Sequence, residues 1–179
     1  MSRRIIIGVI ALVLISFSPG KPGATQIKDT RSVVKALYIY TFATLIDWPA
    51  DYRKGNFVIG VYGTQDAVYN ELNKKYSGKA IGKQEILVKR FNSSSEINKA
   101  HILYVTEDKS SQMTSLSSQF KSKSTLLVTE KEGYLNKGAV INFVVEGNKQ
   151  KYEINKKNAK KHGLTIADKL AGLAVRVIE

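Results

Sequence analysis

Residues 30–46 are apolar on nearly every side of a helical wheel, with Arg31 and Lys35 the charged positions. A helix without a polar face packs on several sides, and Asp47-Trp48-Pro49 ends it because proline cannot continue a helix. A short apolar run at 57–62 then stops at Gly63-Thr64, and a helical pattern follows over 65–76 with Val68 and Leu72 on one face. Strand followed by helix is the reading. The rhythm repeats: strand over 86–91, short helix over 93–99, strand over 101–105, helix over 109–120, strand over 125–128. Such alternation predicts an α/β fold, a largely parallel sheet flanked by helices in a flavodoxin-like or doubly wound arrangement. Two further strands, 139–146 and 151–154, flank Gly147-Asn148 and read as a β-hairpin near the C-terminal end. A helix over 155–162 follows. A last helix is predicted with Thr165 as N-cap and Asp168 three residues on, its inner face formed by Ile166, Leu170, Leu173, Ala174 and Val177 at helical spacing.

The first residues have a different character. Arg3 and Arg4 precede an apolar run over 5–15, and Pro19, Gly20, Pro22, Gly23 and Ala24 follow it. That is the layout of a secretory signal peptide, and the run is too short to span a bilayer as a helix. Residues 1–24 are therefore expected to be a leader, and 25–179 a single α/β domain exported to the periplasm. The 43% apolar and 24% charged composition is that of a globular chain. Removing the leader takes Arg3, Arg4 and Lys21 and no acid, lowering the formal net charge from +13 to +10. A basic surface attracts any polyanion; export makes nucleic acid the improbable one. The cations concentrate late, at Lys149, Lys151, Lys156, Lys157, Lys160 and Lys161, with Glu153 as the acid among them. They read either as a solvated face or as a docking face for an anionic wall polymer or membrane surface.

Candidate chemistry is sparse. With no cysteine, disulfides, thiolate metal sites and cysteine nucleophiles are excluded. His101 and His162 belong to no closely spaced ligand pattern. His101 opens an apolar strand and reads as a hydrogen-bonded structural residue; His162 sits at a helix end, where the dipole favours a cation. There is no GxSxG elbow, and residues 78–83 lack the spacing of a phosphate loop. Gly60 and Gly63 close a strand that runs into a helix, a geometry able to aim amides at an anion, and plain tight turns use glycine too. Glu107 and Asp108 hold the equivalent place after a later strand, where helix capping also explains them. Tyr38, Tyr40 and Phe42 form either an ordinary core face or a seam for a dimer or partner.

Several segments, taken in order, carry a resemblance: VKALYIYTF over 34–42 with Asp47-Trp48-Pro49, FVIGVYG over 57–63, AHILYV over 100–105, GAVINFV over 138–144, and YEIN over 152–155 with Ala159 and residues 164–173. Together they are similar to the YfiR-like family of bacterial periplasmic regulatory proteins. Tyr40, Phe42, Trp48, Asn142, Phe143 and Asn155 stand at its signature positions, most of them structural. The resemblance implies a protein without catalysis or cofactor that binds the sensor part of an inner-membrane signalling protein, such as a diguanylate cyclase, and modulates its cyclic di-GMP output by repression. It also implies a homodimer or contact with an anionic cell-wall polymer or small ligand. In it Trp48 joins Tyr38, Tyr40 and Phe42 as a partner-seam candidate, and Arg176 joins Gly60 and Gly63 as a ligand candidate. The disulfides of the founding type have no counterpart in a chain without cysteine. Two other readings stay open: a periplasmic accessory module binding a small molecule or wall fragment, and an enzyme assembled from ordinary Asp, Asn and Arg residues.

Overall fold

The computed structural model describes residues 30–64 and 66–179; the leader expected over 1–24 lies outside them. Helix α1 (Thr30–Leu45) leads into the short strand β1 (Ile46–Asp47) and the main sheet begins at β2 (Phe57–Tyr62), whose six residues are all buried. There follow α2 (Asp66–Tyr76), β3 (Ala80–Ile81), β4 (Gln84–Phe91), β5 (Ile102–Val105), α3 (Met113–Gln119) and β6 (Leu126–Thr129). The hairpin is β7 (Ile141–Glu146) and β8 (Lys149–Asn155), and the chain finishes with α4 (Lys156–Lys161), β9 (Thr165–Ile166), α5 (Asp168–Gly172) and β10 (Arg176–Ile178).

The eight-stranded sheet runs β10-β8-β7-β6-β5-β2-β4-β3. Its central pairs are parallel, as are β6 with β7 and β8 with β10; β7 with β8 and β3 with β4 are antiparallel. The parallel strands are uninterrupted apolar runs because helices cover both faces. One core packs Ala36, Ile39 and Phe42 of α1 and Leu72 of α2 against Ile59, Tyr104 and Val128. The other packs Met113, Leu116 and Phe120 against Leu103, Val105 and Leu127. A separate clasp pairs β1 with β9 through Ile46↔Ile166 and Asp47↔Thr165.

The expected α/β architecture and hairpin are present. Helix α1 is less enclosed than its composition suggests: Ile39 and Phe42 are buried but Leu37 is 53% exposed. The last helix differs most. Thr165 is a strand residue of the clasp, the helix is only Asp168–Gly172 with Ala167 as an N-cap lacking a side-chain bond, and Arg176 to Ile178 form the edge strand. Of the five apolar positions at helical spacing, Leu170 is fully buried while Leu173 is 56% exposed. Gly172 weakens the helix, and the β-branched Val175, Val177 and Ile178 suit the open edge beside β8, so strand pairing overrides the period of 3.6.

Candidate functional site

Strands β2, β5 and β6 end at the same side of the sheet, and β7 and β8 project past the end of β6 because Thr129 pairs with Asn142 at the start of β7. Between that projection, the first turns of α1 and the loops after β5 and β6 lies a groove of about 820 Å³. Its position at the carboxyl ends of parallel strands is the usual ligand-facing side of such sheets. Helix α1 contributes Arg31 and Lys35, the loops contribute Glu107, Glu130 and Glu132, and the hairpin side contributes Phe143, Val144, Gln150 and Glu153 with Arg176 beside it.

Two ion pairs organise the walls. Lys35 Nζ binds Glu130 with side chains only 13% and 8% exposed, and Glu130 Oε1 also accepts the Glu107 amide at 3.3 Å, so one carboxylate ties α1 to two loops. Opposite, Arg176 Nε lies 2.8 Å from Glu153 Oε1, and Asn142 Nδ2 donates to Glu153 Oε2 at 3.3 Å. Thr129, Asn142, Glu153 and Arg176 stand in register on four successive strands, β6, β7, β8 and β10. Cross-strand partners share a sheet face, so this is a continuous polar row running from the core to the surface. Thr129 Oγ1 and Asn142 Oδ1 are buried without hydrogen-bond partners. Exposed Glu107 and Glu132 complete a rim of mixed sign.

The ligand candidates do not converge. Arg176 is in the groove on β10 with its charge set against Glu153, whereas Gly60 is in β2 and Gly63 just follows it, five strands away. Gly60 is a packing position: a Cβ there would be 2.7 Å from the Phe91 ring. Gly63 has φ +126°, and a Cβ would meet Thr106 Oγ1 at 1.7 Å. The amide of Thr64, next to it, donates at 3.5 Å to Asp108 Oδ1, which also accepts the Thr106 hydroxyl. The chain thus places its own carboxylate at this strand end, and the Thr106 bond foremost holds the Asp108 carboxyl below its ordinary range. The interface candidates divide likewise. Phe42 is fully buried against Phe143 and Tyr152, and Trp48 packs edge-on to Phe57. Tyr40 stacks on Tyr76 at 4.4 Å and keeps an exposed edge. Tyr38, also half-buried, donates to the Gln150 carbonyl at 3.3 Å and so braces the groove's hairpin wall.

Both histidines are buried. Val58 N–H donates to His101 Nδ1 at 3.0 Å while Nε2 donates to the Tyr52 carbonyl at 2.7 Å, which requires the neutral ring. Burial pushes the His101 pKa down against the opposing pull of the Tyr52 bond. His162 donates from Nδ1 to the carbonyls of Phe120 and Lys123, and burial lowers its pKa too, so it closes α4 as a neutral donor and not as the cation expected there. Among the described residues no group of His, Asp and Glu is placed to hold a metal ion, and no helix is long and apolar enough to cross a membrane.

Reasoning from sequence missed the Lys35–Glu130 tie and the polar row. One signal was present, since a lysine inside an almost wholly apolar helix needs a partner when it is covered.

The fold is an α/β domain with a groove of mixed charge at the carboxyl edge of its sheet. The family model described as YfiR/HmsC-like matches residues 32–175, and the chain belongs to that family, whose members are regulators of diguanylate cyclases. None of the curated proteins matches the chain.

Proposed function

We propose that this protein is exported through the leader at 1–24, acts in the periplasm without catalysis, and represses an inner-membrane sensor of the diguanylate cyclase type by binding its periplasmic part at the groove. Family membership supports a regulatory role. The observation that carries the choice of surface is the groove's organisation: Glu130 and Glu153 are held by ion pairs and hydrogen bonds, while Glu107 and Glu132 remain exposed on the rim. Matched, ordered walls with a charged rim suit a polypeptide partner, where rim charges steer the encounter. Deleting the protein is expected to raise cellular cyclic di-GMP, and the folded variant Glu107→Lys/Glu132→Lys is expected to reproduce that rise. Unchanged cyclic di-GMP on deletion would refute the regulator; repression intact in the double variant would refute the groove.

A second reading is favoured by the groove's volume, about 820 Å³, which lies within the range of small-molecule sites. A wall fragment or other small ligand bound there would raise the melting temperature by an amount that grows with the logarithm of its concentration over its Kd. A dose-dependent rise, abolished by Arg176→Gln, would distinguish it from a groove that reads protein alone.

A further inference from the structure

The topology segregates charge in a way the linear sequence hides. Residues 48–56, 77–83, 97–101 and 120–125 precede β2, β4, β5 and β6, and residues 160–164 leave α4 beside them. These segments touch in sequence around the amino end of the sheet. Gln84 Nε2 donates to the carbonyls of Tyr52 and Gly55, and His101 reaches the Tyr52 carbonyl. Lys123 Nζ reaches the Asn98 carbonyl, and His162 reaches those of Phe120 and Lys123. The first two loops bring Arg53, Lys54, Lys79 and Lys83. The others bring Lys99, Lys121, Lys123, Lys160 and Lys161. Lys123 is half-buried and the rest are exposed. Among the described residues, Asp51 is the sole carboxylate within these segments, with Asp47, Glu85 and Glu96 just outside them; Asp47 lies 3.6 Å from Arg53. The carboxyl end is mixed: the loops after β5 and β6 bring Glu107, Asp108, Glu130 and Glu132 against Lys109 and Lys131, and the groove beside them adds Arg31, Lys35 and Arg176.

We propose that the amino end of the sheet is a docking face for an anionic phospholipid surface. The composition of the face selects this occupant. Eight of its cations are lysines, point charges on long flexible stems, and they lack the paired guanidinium forks that clamp one phosphate bidentately. They are spread over five segments and so match a plane of many phosphates better than a single small anion. Among the described residues, the four exposed large hydrophobic ones, Leu37, Val145, Leu173 and Val175, all lie outside these segments, so the contact is electrostatic and reversible by salt. The groove at the opposite end then faces away from the bilayer.

The test uses the processed protein purified from cells and vesicles of phosphatidylethanolamine with phosphatidylglycerol, against vesicles of phosphatidylcholine alone. Binding is expected to the anionic vesicles only and to weaken roughly tenfold or more as salt rises from low to physiological levels, as screening requires. Lys121→Glu/Lys160→Glu/Lys161→Glu is expected to abolish it. The matched control Lys89→Glu/Lys131→Glu/Lys149→Glu carries the same net charge change elsewhere, and is expected to keep most of the binding. Three results would each overturn the proposal: no binding at low salt, equal loss in both triple variants, or binding insensitive to salt and to both variants, as an apolar tether would give. Capture by a soluble polyanion such as heparin with none by vesicles would instead identify a polymer site and also overturn it. No sensor protein is present in this assay, so its failure leaves the regulatory reading to be judged on cyclic di-GMP alone.

Discussion

His101 shows how one side chain ties the start of the sheet together. It accepts from Val58 and donates to Tyr52 while stacked 4.3 Å from Phe57, and protonating Nδ1 would set two N–H groups against each other. Its folded-state pKa is depressed, so the neutral ring is the form the fold stabilises. That contribution is complete above the unfolded value of about 6.5 and is lost as pH falls from there through the lower folded value. His162 acts in the same direction. Melting temperature is therefore expected to be flat above about pH 7 and to fall as pH drops below about 6.5, measured by circular dichroism. His101→Leu should lower stability at neutral pH by about 1–3 kcal/mol for each orphaned backbone group and flatten part of the acid limb. The sequence marked His101 as structural, because a histidine opening an apolar strand must satisfy both nitrogens; it could not say that the partners come from residues 43 and 49 positions away.

At the scale of elements, α1 is held by two kinds of contact. Its apolar side fills the core through Ile39 and Phe42, and Lys35 is pinned to the loop after β6 through Glu130. Both groups are largely covered, so removing Lys35 takes the cation from a carboxylate that is out of water and keeps its bond to the Glu107 amide. Lys35→Met is expected to cost about 1–3 kcal/mol, and adding Glu130→Leu should recover part of it; a double-mutant cycle in urea measures both. The same variants loosen the groove wall, so partner binding and stability should fall together in Lys35→Met. Helix α1, β2 and the hairpin were legible because each is long, strongly patterned and closed by Pro, Gly or Gly-Asn. The tail was not, because Ile166, Leu170, Leu173 and Val177 keep helical spacing while belonging to two strands, a helix and its C-terminal cap.

For the molecule as a whole, β10 completes the sheet by pairing in parallel with β8 and setting Arg176 against Glu153. A chain ending at Val175 should lose about 1–3 kcal/mol, with hydrogen exchange quickening first in β8 and little in β2; uniform quickening would show that the edge strand supports the entire domain. The difference in charge between the two ends is also a property of this scale. The late lysine run is divided by the fold: Lys149 and Lys151 go to the hairpin, Lys156 pairs with Glu179 at 2.8 Å, and Lys160 and Lys161 join the amino end. Local pattern alone determined the α/β class, the central strands, the hairpin and the absence of thiol chemistry, because hydrophobic period and residue type act over a few neighbours. Tertiary structure alone decided that the last residues form a strand, that Lys35 meets Glu130 across 95 positions, and that scattered lysines share one end. Those outcomes depend on which strand edge stands open and which loops lie on the same side of the sheet, and chain connectivity encodes neither in any short window.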